Sequence, residues 1–97
     1  MNWFIYIVKC RDNSLYTGIT TDLNRRVAQH NNGEGAKSLR GKRPVKLVYY
    51  ERFKSQKDAA KREKAIKNWK RENKLKLINK WNRINPCTIR VYPLNLI

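Results

Sequence analysis

Six apolar residues in a row, Trp3 to Val8, constrain the fold more than any other stretch of this 97-residue chain. The run is aromatic and β-branched, too short to span a membrane, and lacks the alternation of a strand with one wet face. It predicts a central strand over Trp3 to Lys9, covered on both sides. A chain of this length buries roughly two-thirds of its unfolded surface, enough for a single core. One small domain therefore has to supply both covering layers.

The residues that follow predict where those layers come from. Arg11-Asp12-Asn13-Ser14 is a turn cluster, and Leu15 to Thr20 reads as a second strand, so residues 3–20 predict a hairpin. Gly18, inside a strand pattern, marks a bend, a bulge or a close backbone approach. Tyr6 and Tyr16 share a face of this hairpin only if its paired positions sum to an even number, a register the sequence leaves open. Thr21 or Asp22 can cap a helix running to about Asn31, with Leu23 and Val27 inward. Arg26 and His30 then flank its buried edge, while Arg25 points elsewhere.

Asn31 to Pro44 is expected to be a patternless loop with three glycines and the basic residues Lys37, Arg40, Lys42 and Arg43. It is either a functional loop or a mobile solvated connection. Val45 to Phe53 reads as a third strand. Ser55-Gln56-Lys57-Asp58 resembles a capping box with Asp in the usual Glu position, opening a helix to about Lys70. Ala59 and Ile66 mark its inward stripe, and Glu63 falls within it. An acid there is either salt-bridged to a nearby base or a metal ligand. The polar stretch Asn68 to Asn73 bends or breaks the helix, after which Leu75, Ile78 and Trp81 resume a helical pattern. From Asn82 the composition shifts, and Pro86 and Pro93 bracket a β-like run, Thr88 to Tyr92. The expected division is a domain over 1–81 and a tail over 82–97, an edge strand or disordered.

Charge narrows the partner. Lys and Arg number 23 against 7 Asp and Glu, a formal net charge of +16, and seventeen of these bases lie between Lys37 and Lys80. Such a balance points to a polyanion, nucleic acid first, with a ribosomal or merely soluble basic protein as the plainer reading. The basic loop and the lysine-rich helix suit a phosphate-backbone track, for which Lys37, Arg40, Lys42, Arg43 and Lys67 are candidates. Cys10 and Cys87 have no partner at metal-ligand spacing and read as reduced. No stretch is long enough for a membrane helix, and no signal peptide is recognisable, so a cytoplasmic protein is expected.

Phe4-Ile5-Tyr6, Tyr16-Thr17-Gly18, Arg26, His30 and Glu63 together resemble the ordered motif set of the GIY-YIG nuclease superfamily (URI domain). The phrases S-L-Y-T-G-I-T-T-D-L, H-N-N-G-E-G-A-K, G-K-R-P-V-K-L-V-Y-Y-E and K-R-E-K-A-I-K are similar to its small stand-alone bacterial group of predicted endonucleases, often called YhbQ-like. The similarity covers about residues 2 to 80. The resemblance implies an α+β fold, a three-stranded antiparallel sheet flanked by helices in the order β-β-α-β-α-(α). It also implies hydrolysis of phosphodiester bonds, most simply in DNA, with one divalent cation, Mg²⁺ or Mn²⁺. Carried over by position, Tyr6, Tyr16, Arg26 and His30 are catalytic, Glu63 holds the metal, and Gly18 lets the backbone approach the site. Phe4 stands where the motif has glycine, and neither Asn79 nor Asn82 can be assigned as the asparagine that often lines such sites.

Those residue types suit the chemistry. A tyrosine hydroxyl whose proton affinity is lowered can help deprotonate water. An arginine can stabilise charge developing on phosphate, and a cation on one carboxylate can polarise it. His30 can orient a tyrosine or relay a proton. Two other readings stay open, a non-catalytic nucleic-acid-binding module on the same scaffold and a ribosome- or RNA-associated basic protein.

Overall fold

In the computed structural model, which describes residues 2–84, Trp3–Lys9 (β1) is the middle strand of a three-stranded sheet. Leu15–Thr20 (β2) and Lys46–Phe53 (β3) flank it, both antiparallel. The fold is α+β, in the order β-β-α-β-α-α. Ile5, Tyr6, Ile7 and Val8 are all buried, as both faces of a covered central strand must be. Between β1 and β2 the Cys10–Ser14 turn closes on itself. Ser14 donates to the Asp12 carboxylate from both its N–H and its hydroxyl, and Asn13 takes the left-handed conformation at φ 70° that Asn tolerates.

One layer covers the Tyr6 face. The helix Leu23–Asn31 (α1) is capped by Asp22, whose carboxylate accepts the Arg25 N–H at 3.1 Å. Its Leu23 and Val27 pack against Tyr6, Val8 and Cys10. The expected patternless loop contains a 3₁₀ helix, Lys37–Lys42, which drives Leu39 into the same cluster. A single buried leucine carries too little periodicity to announce such a turn. Asn31 then fastens the end of α1 to the start of β3, since its side chain accepts from the Val45 N–H at 2.7 Å and donates to the Val45 carbonyl at 3.1 Å.

The other layer covers Ile5 and Ile7. The helix Gln56–Lys67 (α2), capped by Ser55, buries Ala59 and Ile66 there, and the helix Arg71–Ile84 (α3) adds Ile78, Leu77 and Trp81. The helix expected to run to about Lys70 ends at Lys67, directly before the polar stretch that marked a break. Leu77, not the expected Leu75, packs beside Ile78. Between Ile7 and Val8 the β1–β3 register shifts, so that Ile7 faces Tyr49 and Val8 faces Leu47. The skipped residue, Val48, turns Leu47 and Val45 onto the Tyr6 face while Tyr49 stays on the Ile7 face.

Cys10 is buried and free. The expected tail run Thr88 to Tyr92, with Cys87, Pro86 and Pro93, lies outside the described residues. No helix among the described residues is long and apolar enough to cross a membrane.

Candidate active site

The register left open by the sequence is the even one. Tyr6 pairs with Gly18 and Val8 with Tyr16, so both tyrosines stand on the face covered by α1. The ring of Tyr6 crosses directly over Gly18, where a Cβ would lie 2.6 Å from the phenolic oxygen and 2.8 Å from Cζ. Glycine at this point makes room for the tyrosine of the neighbouring strand.

His30 is the third ring of the group. Its centroid lies 5.9 Å from that of Tyr6 and 5.5 Å, edge to face, from that of Tyr16, and the two tyrosines are 6.4 Å apart. Burial and the nearby Arg26 guanidinium hold the imidazole pKa down at about 4, so the ring is neutral at pH 7. Its Nδ1 accepts the Ala36 backbone N–H at 3.3 Å, which assigns the remaining proton to Nε2. That Nε2–H points at the Tyr6 oxygen, 2.8 Å away. The Tyr6 oxygen therefore accepts, and its own O–H is left to be donated elsewhere.

Burial pushes the Tyr6 hydroxyl up to about 12. Arg26 draws it back down, while Tyr16 and Glu63 push it further up. Residues from four elements thus meet electrically at one oxygen. Arg26 is held in place by Gln29, whose side-chain oxygen accepts from its guanidinium at 3.1 Å. Glu63, on α2, is 22% exposed and lies 3.5 Å from the Lys67 ammonium one turn on, which in turn sits 5.8 Å above the Tyr16 ring. The salt bridge and the site are therefore one arrangement.

Among the described residues no three His, Cys, Asp or Glu side chains gather to form a metal cage. Glu63 alone fits a hard cation that keeps most of its waters and takes further oxygens from a phosphate. The expected phosphate-track residues divide. Lys67 stands at the site. Lys42 pairs with Asp12 at 3.9 Å, and Arg43 donates to the carbonyls of Arg40 and Asn31. Lys37 and Arg40 are exposed on the 3₁₀ helix, and none of these four bonds to the tyrosines, Arg26, His30 or Glu63.

Gly35 and Ala36 belong to the site without having been named from the sequence. The loop after α1 folds back over His30 so closely that a Cβ on Gly35 would lie 2.9 Å from the His30 Cα and closer still to Nδ1. The sequence signal is the phrase H-N-N-G-E-G-A-K, with its pair of glycines around Glu34 just after the histidine.

Residues 2–76 match the family model described as the GIY-YIG catalytic domain. The chain belongs to the GIY-YIG family. GIY-YIG domains are associated with endonucleases. A UPF0213 protein of Staphylococcus saprophyticus is 54% identical over 76 residues, covering 78% of this chain and 93% of the relative. One of Haloquadratum walsbyi is 51% identical over 82 residues, covering 84% and 92%. Two solution structures share the GIY-YIG chain's fold. A UPF0213 protein of Bacillus halodurans is 42% identical with a TM-score of 0.54, over 81% of this chain and 84% of that one. An Enterococcus faecalis protein is 33% identical with a TM-score of 0.58, over 84% and 88%. Both tripeptides of the GIY-YIG pattern lie on adjacent strands here, with the tyrosine of the first paired to the glycine of the second.

Proposed function

We propose that this GIY-YIG domain is a metal-dependent endonuclease that hydrolyses phosphodiester bonds in DNA. The observation that carries the reading is the hydrogen bond between Tyr6 and His30, with Tyr16 packed against both rings and Arg26 and Glu63 near enough to act on the phenol electrostatically. Tyr6 acts as its phenolate: its own O–H proton passes to solvent first, and the phenolate then takes the proton of the attacking water. At rest its phenol is protonated, and two features oppose its burial when it must carry negative charge. The Nε2–H of His30 donates to the phenolic oxygen, and Arg26 lowers its proton affinity by hydrogen bonding and by charge.

Arg26 also neutralises charge that builds on the phosphate oxygens. Tyr16 packs against both Tyr6 and His30, forming the wall that fixes their rings, and presents its hydroxyl to the incoming phosphate. Gly18 keeps the space that the Tyr6 ring occupies. Glu63 holds the divalent cation, Mg²⁺ or Mn²⁺, which when bound supplies positive charge to polarise the phosphate and ease departure of the leaving oxygen. Lys37, Arg40, Lys42, Arg43 and Lys67 contribute sequence-independent attraction for the backbone.

The pairing of Glu63 with Lys67 favours one rival, a non-catalytic nucleic-acid-binding module whose carboxylate is neutralised internally. Cleavage of labelled DNA in Mg²⁺ by wild type, Glu63→Ala and Arg26→Ala separates the two. Cutting lost in both folded variants supports the enzyme. Salt-sensitive binding without product in wild type, with Mg²⁺ and with Mn²⁺, supports the module.

A further inference from the structure

We propose that the cleft between Arg11, Arg40 and Arg43 is a second phosphate-binding site, distinct from the tyrosine site, which takes a backbone phosphate of the bound strand away from the bond to be cut. The choice of a polynucleotide rests on the function proposed above; the phosphate chemistry does not. The cleft has a volume of about 400 Å³ and is lined by these three arginines with Asn31, Gly41 and Pro44. No carboxylate lines it.

The site is assembled from separate parts of the chain. Arg11 comes from the β1–β2 turn and donates to the Gly41 carbonyl at 3.2 Å, while its own N–H meets the Lys42 carbonyl at 3.0 Å. Arg43 donates to the Arg40 carbonyl at 3.0 Å and to the Asn31 carbonyl at 3.3 Å. The floor is firm, because Asn31 is itself clamped to Val45. Arg40 makes no side-chain hydrogen bond among the described residues. Two of the three guanidinium groups round the opening, those of Arg11 and Arg43, are thus held by backbone carbonyls with most of their N–H donors unspent, and that of Arg40 keeps all of its own. Their mutual repulsion is a cost that an anion between them would offset, and the planar donor forks match phosphate oxygens. The volume admits a phosphate with an attached sugar.

Position gives the cleft its use. Asn31, the last residue of α1, follows His30 directly, so the helix end that carries the His30 ring also offers its backbone carbonyl to Arg43 of the cleft. A strand with one phosphate in the cleft and another at Tyr6 is fixed at two points, which sets its direction across the sheet.

The test is a binding experiment in EDTA, so that no cleavage enters it. Backbone amide NMR shifts of the whole chain are followed with inorganic pyrophosphate, a nucleoside monophosphate and a single-stranded oligonucleotide. Two variants accompany wild type. Arg40→Gln removes no hydrogen bond of the fold, and Gly41→Glu places a carboxylate where a Cβ meets nothing within 4 Å. Pyrophosphate and oligonucleotide are expected to shift the amides of Arg11, Arg40 and Gly41 in wild type. Gly41→Glu is expected to abolish both responses, and Arg40→Gln to lower the salt slope of oligonucleotide binding by about 1. Lys57→Glu, a larger charge change than either variant but placed on the exposed start of α2, is expected to leave the cleft responses intact. Shifts with pyrophosphate and monophosphate but not oligonucleotide would keep the phosphate site and assign it to free nucleotides. No shift at the cleft with any probe, or equal loss in Lys57→Glu, overturns the proposal. Phosphate binding at the cleft by a protein that never cuts DNA would instead remove the nuclease and leave the cleft.

Discussion

His30 is the only histidine in the chain, so its titration can be read directly from its ring protons. With its pKa held at about 4, the folded protein resists protonation that the unfolded chain accepts from about 6.5 downward. Stability from the neutral ring is complete above about pH 6.5 and is lost as pH falls toward about 4, by up to about 3 kcal/mol. NMR should find the midpoint near pH 4, and urea denaturation midpoints should fall through the same window. A ring midpoint near 6.5 would contradict the burial and the hydrogen bonds assigned here. Gly18 gives a second prediction at this scale. Gly18→Ala puts a methyl into the Tyr6 ring, so a loss of about 1–3 kcal/mol is expected in thermal unfolding. Cleavage should fall by a larger factor than a stability loss explains, because the displaced hydroxyl leaves His30. Tyr6, Tyr16, Arg26, His30 and Glu63 could be named as candidates only because their order along the chain resembles the GIY-YIG motif set. Gly35 could not, because its need arises only once the loop folds back on the imidazole.

At the scale of elements, α2 and α3 are tied to β3 by one polar cluster on the sheet face opposite the tyrosine site. Arg62 of α2 grips the Glu51 carboxylate with two hydrogen bonds, 3.0 and 3.1 Å long, and lies 5.2 Å above the Trp69 ring. Tyr49 donates its hydroxyl to the same carboxylate, and burial, with that partner, holds its pKa above the ordinary phenol value. Trp81 of α3 meets both Tyr49 and Tyr50 edge to face. Arg62→Ala leaves Glu51 half-buried without its cation, and a loss of about 1–3 kcal/mol is expected in urea unfolding. A change within a few tenths would show the pair to be an ordinary surface bridge. Lys67 belongs to the same helix but to the site. Lys67→Met frees the Glu63 carboxylate, so Mn²⁺ binding by calorimetry, without nucleic acid, should tighten several-fold. Unchanged or weaker binding would mean that the two cations do not compete for Glu63. The hairpin, both main helices and the third strand were legible from apolar periodicity and capping residues. The register shift at Val48 was not, since Val48-Tyr49-Tyr50 is a continuous apolar run that fits either face. The 3₁₀ helix was hidden for a related reason, having only Leu39 to bury.

Over the whole molecule, a net charge of +16 on a single small domain makes association with a polyanion strongly salt-dependent. Composition alone could name the partner class but not distinguish cutting from holding. The two candidate sites stand apart in space. The tyrosine face gathers a few groups around one oxygen, whereas the cationic cleft lies at the turn end, beyond Cys10. Variants at Arg40 should therefore change binding and its salt slope, while Glu63 variants should change cleavage with little effect on binding in EDTA. The most direct measurement is the cleavage of labelled single-stranded, duplex and branched DNA, in Mg²⁺ or in EDTA, by wild type and Glu63→Ala. Metal-dependent cutting of at least one substrate by wild type, and none by the folded variant, is the predicted result. Binding without cutting on every substrate, with Mn²⁺ as with Mg²⁺, or cutting that survives Glu63→Ala, would contradict it.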